Sequence, residues 1–141
     1  MYRTILVTLE NSPTDRAILT HIRPLARHMG SRLILLHVAE GHVARNQAQL
    51  NLEDSDEMCD DRAYLEHCRA ELAADGLDVT VRLACGEPSH EIVSVAEAEQ
   101  CDLIAMSTHG HRLVKDVILG SVASEVRHRT YLPVLLVRAR P

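Results

Sequence analysis

The chain of 141 residues has no Phe and no Trp, and only three Tyr. Any core must therefore be built from aliphatic side chains, and a hydrophobic fraction of 46% supplies enough of them for one domain spanning 1–141. Positive charge is also short. Lys and Arg number 15 against 20 Asp and Glu, the formal net charge is −5, and no basic run occurs. That balance argues against a general nucleic-acid surface. The longest apolar run, Leu33 to Ala39, is broken by His37 and is far too short to span a bilayer. The opening MYRTILV lacks the shape of a signal peptide and goes straight into a strand. The four cysteines, at 59, 68, 85 and 101, have no CxxC spacing, which suits reduced thiols in a cytoplasmic protein. Neither GxxxxGK[ST] nor an SGGxDS-like loop is present, so phosphoryl or adenylyl transfer on a related fold ranks last among the functions weighed.

What is present is an alternation. Thr4 to Leu9, Arg32 to Val38, Cys101 to Met106 and Val134 to Arg138 are short apolar runs of the kind that form buried parallel strands. Asp78 to Ala84 alternates apolar and polar residues and reads as an edge strand. Between them lie helical stretches. The first starts at Ser12 as N-cap with Pro13 at the first helical position, and ends at Met29 with Gly30 as its stop. Ile18, Ile22, Leu25 and Met29 mark its apolar face, and Pro24 should kink it. The second runs from Glu57 to Ala74 with Met58, Leu65, Cys68 and Leu72 on one face. The third opens at Gly86-Glu87-Pro88-Ser89 and runs to about Gln100, and the fourth covers Ser121 to His128. Strands alternating with helices imply a doubly wound α/β parallel sheet with helices on both faces and right-handed crossovers.

The stretch from Cys101 to Ser121 carries the chemistry. An apolar strand runs into a turn at Ser107-Thr108-His109-Gly110, and Gly120-Ser121 then opens a helix. Glycines let backbone N–H groups approach an anion, and a helix N-terminus supplies free donors and positive dipole, so this arrangement can hold phosphate. The plain alternative is an N-cap and a turn glycine. His109 and His111 flank Gly110 and read as solvated loop residues, and His37 as a packed core histidine. Six carboxylates between Glu53 and Asp61 suggest calcium, but the glycine position of such a loop holds Cys59 and its twelfth holds Leu65. Acids complementing a helix N-terminus are the better reading. A phospho-acceptor domain is also disfavoured, because Ala84-Cys85 gives no acid after the third strand.

The spacing Gly110, nine residues, Gly120, Ser121 resembles the G-x2-G-x9-G-[ST] nucleotide loop of the universal stress protein family, and the likeness extends from ILVTLENS to YLPVLLVR. Ser107 stands where that pattern has its first glycine, and Glu10 where the family commonly has Asp. The resemblance implies a single-domain, five-stranded parallel sheet of order 3-2-1-4-5. Strands 1 and 4 then flank the topological switch point, where open α/β sheets bind ligands. It also implies a site for ATP, or ADP or AMP. Thr8 and Leu9 would line the base pocket, the Val38 backbone would meet the adenine edge, and Glu10 would face the ribose. Met106 and Ser107 would sit beside base and sugar. Gly110, Gly120, Ser121 and Val122 would hold phosphates, with Mg²⁺ carried on them. If position 107 requires φ > 0, serine costs about 1–2 kcal/mol there.

The function implied is that of an ATP-binding stress-response regulator with slow or no hydrolysis, since no general base is evident beside the loop. The competing reading is a dimeric interaction module with a degenerate pocket that acts through a protein partner. The apolar run Val134 to Val137, on an edge strand, suggests a homodimer through residues 134–138.

Overall fold

The computed structural model describes residues 1–39, 56–109 and 122–140. Strand β1 (Thr4–Thr8) leads to helix α1 (Asp15–Met29), β2 (Arg32–Ala39), α2 (Asp56–Ala74), β3 (Asp78–Cys85), α3 (Pro88–Ala98), β4 (Leu103–His109), helical residues 122–129 (α4) and β5 (Val134–Ala139). The five strands form one parallel sheet in the order β3-β2-β1-β4-β5. This is the architecture that the alternation and the resemblance imply.

The strand pleat divides the core. Ile5, Val7, Leu33 and Leu35 point toward α1 and α2, where they meet Ile18, Ile22, Leu65 and Leu72. Leu6, Ile34, Leu36 and Ile104 point the other way, toward Ile92, Ala96, Ala123 and Val126 of α3 and α4. Central strands buried on both faces read as continuous apolar runs for this reason. β3 keeps one polar face: Val79 is buried while Thr80 and Arg82 are exposed, as its alternation suggests.

Four expectations need correction. The first concerns α1, which begins at Asp15 with Thr14 as a cap that makes no side-chain bond, not at Ser12. The Asp15 carboxylate accepts the Glu10, Asn11 and Ser12 N–H groups at 2.9, 2.9 and 3.4 Å, so residues 11–14 form a turn around it. Second, the buried face of α1 is Asp15, Ile18, Ile22 and Ala26, with Leu25 and Met29 only half-buried. Third, β4 does not turn at Ser107. It runs to His109, because β5 continues alongside it and pairs Ser107 with Val137 and Thr108 with Arg138. Fourth, α3 ends at Ala98, where Glu99 leaves helical geometry and Gln100 takes a positive φ of 56°. The connection after Glu40 lies outside the described residues, as do His111 and Gly110, Gly120 and Ser121, to which the resemblance gives a phosphate-holding role.

Candidate functional site

A cavity of about 320 Å³ opens beyond the carboxyl ends of β1, β2 and β4. That volume is in the range of small-molecule sites, and the position is the switch point of the sheet. Thr8, Leu9 and Glu10 come to it from the end of β1, Val38 from β2, Met106 and Ser107 from β4, and Val122 from α4. Residues proposed for one site from sequence thus share one cavity. Leu36, Ile92 and Ala123 complete an apolar wall.

Strand parity explains the lining. Leu36, Val38 and Met106 belong to the α3–α4 side of the sheet and continue the apolar surface of that layer out to its open end. α3 is brought under the cavity by a well-made start. The Glu87 carboxylate caps it by accepting the Ser89 and His90 N–H groups, and Pro88 occupies the first helical position, where a missing donor costs nothing. The Ser89 hydroxyl and the His90 N–H, bonded to the Glu87 carboxylate, hold it below its usual range. Gly86, at φ 144°, makes the preceding turn, and its N–H donates to the Ala39 carbonyl at the end of β2.

At the opposite rim, Glu10 is exposed. Its Oε2 accepts the Thr14 hydroxyl at 2.9 Å and lies 3.3 Å from the Ser12 hydroxyl. A carboxylate has about four acceptor positions, so these contacts are compatible with a ligand hydroxyl as well. Ser107 lies in extended strand, and Asn11 and Gln100 are the non-glycine residues with positive φ among those described. The backbone penalty considered for serine at 107 therefore does not arise. Its hydroxyl donates to the Thr14 carbonyl at 2.9 Å.

Beneath the Glu10 turn is a polar network that sequence reasoning missed. Asp15, 1% exposed, also accepts the Tyr64 hydroxyl at 2.6 Å. Burial and this carboxylate push the Tyr64 phenol far above its ordinary range. Asp61, 6% exposed, accepts the Asn11 side-chain amide at 3.0 Å and lies 3.2 Å from Nε2 of His37. The other ring nitrogen, Nδ1, is 2.8 Å from the Leu9 carbonyl. His37 is thus half-buried but polar-bonded, not simply packed. A signal did exist in the spacing. Asp61 falls in phase with Met58, Leu65, Cys68 and Leu72, and Asp15 with Ile18 and Ile22, so both acids occupy positions on apolar stripes.

Among the described residues, no group of three or more His, Cys, Asp or Glu is placed to hold a metal ion, and no helix is long and apolar enough to cross a membrane.

Comparison with known proteins gives a consistent result. The model of the universal stress protein family matches residues 1–138. A universal stress protein of Thermus aquaticus is 31% identical over 140 residues, covering 98% of this chain and 100% of the relative. Universal stress protein MJ0577 of Methanocaldococcus jannaschii is 28% identical over 157 residues, covering 99% of this chain and 97% of its own. The solved structure of MJ0577 superposes with a TM-score of 0.84 at 30% identity, covering 99% of this chain and 98% of the other. The structure of a universal stress protein from Archaeoglobus fulgidus in complex with dAMP shares the fold, with a TM-score of 0.71 at 19% identity and coverage of 96% and 98%.

Proposed function

The chain belongs to the universal stress protein family, and from that premise we propose that it binds an adenine nucleotide, ATP or its products ADP and AMP, as a stress-response regulator with slow or no hydrolysis. The observation that carries the reading is the shared cavity at the switch point, lined by Thr8, Leu9, Glu10, Val38, Met106, Ser107 and Val122. Its apolar wall suits a purine face, the Val38 backbone offers polar groups to the purine edge, and Glu10 at the rim suits ribose hydroxyls. The Archaeoglobus relative in complex with dAMP lends support of a general kind. In this reading Gly110, Gly120 and Ser121 hold the phosphates. Magnesium rides on the phosphates and water, as Mg²⁺ prefers when no protein cage is available.

The reading includes a homodimer formed through β5, which is an edge of the sheet and exposes Leu136. The cytoplasm is the proposed compartment.

The test is isothermal titration with ATP and Mg²⁺, together with mass spectrometry of the supernatant from denatured protein for retained ATP, ADP or AMP. The expected result is saturable binding that Gly120→Val abolishes, because a side chain there fills the phosphate approach. No heat and no thermal shift at about millimolar ATP, the weak end of specific affinities, would overturn the reading and favour a dimeric interaction module that acts through a protein partner.

A further inference from the structure

Ser107 has two neighbours, one in the chain and one outside it. Leu103 and Ala105, four and two residues before it on β4, belong to the α1–α2 core, so by strand parity Ser107 lies on that side, toward the start of α1. There its hydroxyl donates to the Thr14 carbonyl at 2.9 Å, a carbonyl that also accepts the Ala17 N–H at 3.2 Å. Ser107 is half-buried, and it borders the cavity as well.

A hydroxyl has one proton and two lone pairs. The proton of Ser107 is committed to Thr14, so Oγ can meet a further partner only as an acceptor. Among the described residues, no second group is hydrogen-bonded to this oxygen. A ligand O–H donating to it would complete a chain, from ligand to Ser107 to the Thr14 carbonyl, in which each bond polarises the next. A ligand lone pair, such as that of a phosphate oxygen, would instead face a lone pair. Thr14 bears on the rim a second time: its own hydroxyl donates to Oε2 of Glu10 at 2.9 Å, and a carboxylate offers only lone pairs. The carbonyl and the hydroxyl of one residue thus serve two acceptors at the cavity, Ser107 and Glu10. Acceptors placed in this way suit the neighbouring hydroxyls of a sugar.

We infer that Ser107 is a specificity-determining residue of the cavity: its Oγ, with the proton given to Thr14, accepts a hydrogen bond from a ribose hydroxyl and so selects a ribonucleotide over the form deoxygenated at that carbon. The inference rests on the nucleotide reading. It concerns a side chain that the glycine of the family pattern does not have, so the contact is an addition made by this chain. A site that bonds a ligand hydroxyl discriminates against the analogue lacking it, because the site's polar atom is then left without its partner.

The experiment is isothermal titration of the full chain with the Mg²⁺ complexes of ATP, 2′-deoxy-ATP and 3′-deoxy-ATP, in wild type and in Ser107→Ala. The variant is expected to lose affinity for ATP by about three- to tenfold, the scale of one neutral hydrogen bond. Its affinity for one of the two deoxy analogues is expected to equal that of the wild type, since that ligand has no hydroxyl to offer at Ser107. Affinity for the other analogue falls as it does for ATP, and the split identifies which hydroxyl is bonded. Ser107→Gly, which restores the residue of the family pattern, is expected to show the same split and serves as the second variant should Ser107→Ala fail to fold.

Loss of the strap between β4 and α1 alone would lower the affinity for all three ligands by the same factor. That uniform loss, or an ATP affinity that is unchanged or raised in both variants, overturns the selection by Ser107 and leaves the nucleotide reading standing. A wild type that binds none of the three at about millimolar ligand, the weak end of specific affinities, overturns the nucleotide reading and this inference with it.

Discussion

The Ser107 hydroxyl donates to the Thr14 carbonyl across 2.9 Å, fastening the end of β4 to the turn before α1. Serine at this position, where the family pattern has glycine, thus acts as a cross-strap between two segments that flank the cavity. Ser107→Ala is expected to lower stability by about 0.5–1.5 kcal/mol, the net worth of one such bond. Ser107→Gly should lose about 0.5–1 kcal/mol more through added backbone freedom in a strand. Urea denaturation measures both. Neither variant should bind ATP more tightly than the wild type, since the serine backbone is unstrained; a tighter Ser107→Gly would show that the side chain crowds the ligand.

Gly86 makes the second prediction. Its φ of 144° is a conformation that side chains rarely adopt, and an added Cβ would stand 3.2 Å from Cγ of Glu91. Gly86→Ala is expected to cost about 1–3 kcal/mol. The strain falls beside Glu87, so the loss should come with fraying of the first turn of α3. Hydrogen exchange at Ser89 and His90, whose N–H groups the Glu87 carboxylate accepts, reads that fraying, and unchanged exchange would count against it.

The third prediction separates two neighbours on β5. Leu135 packs on the α1–α2 core, while Leu136 is 39% exposed on the opposite face of the strand. A charge at half-buried Leu135 therefore tests the chain's own core as well as any seam between subunits. Leu136→Glu is expected to convert the proposed dimer to a species near 15.7 kDa without loss of helical circular dichroism. Leu135→Glu is expected to destabilise each chain by about 1–3 kcal/mol, from a charge at a half-buried position against that core. Analytical ultracentrifugation of Leu136→Glu beside wild type checks it, and a monomeric wild type would dismiss the β5 interface.

Most of the fold was legible because the strands are apolar runs and the helices carry clean stripes. Met58, Leu65, Cys68 and Leu72 are buried as their spacing predicts. The errors cluster where a polar side chain outweighs local preference. Ser12 and Pro13 make a good helix start on paper, yet Asp15 gathers three N–H groups and moves the start forward. Ser107 and Thr108 resemble turn residues, but the ladder to β5 keeps them extended. A nonlocal partner of this kind leaves no mark in the adjacent sequence. The cavity-lining residues from β1, β2 and β4 were legible from topology and resemblance. His37 and Asp61 were not, because a lone histidine in a strand and one acid in a cluster of acids have commoner explanations; only the phase of Asp61 on its stripe distinguished it.

The central place of β1 bears on how the chain is made. Its backbone at Arg3 and Thr4 is bonded to the Asp102 carboxylate, and Ile5 sits beside Leu103, partners that lie almost a hundred residues further along. On a ribosome adding about 5–20 residues per second, the second edge of β1 would stay open for roughly 3–14 s after the first is paired to β2, which ends at Ala39. During that wait the nascent chain displays an apolar strand with unpaired donors and acceptors, the form most prone to pairing with another nascent chain. Synthesis speed through the segment before Leu103 is therefore a variable that should govern the yield of soluble protein, independently of the stability of the finished fold.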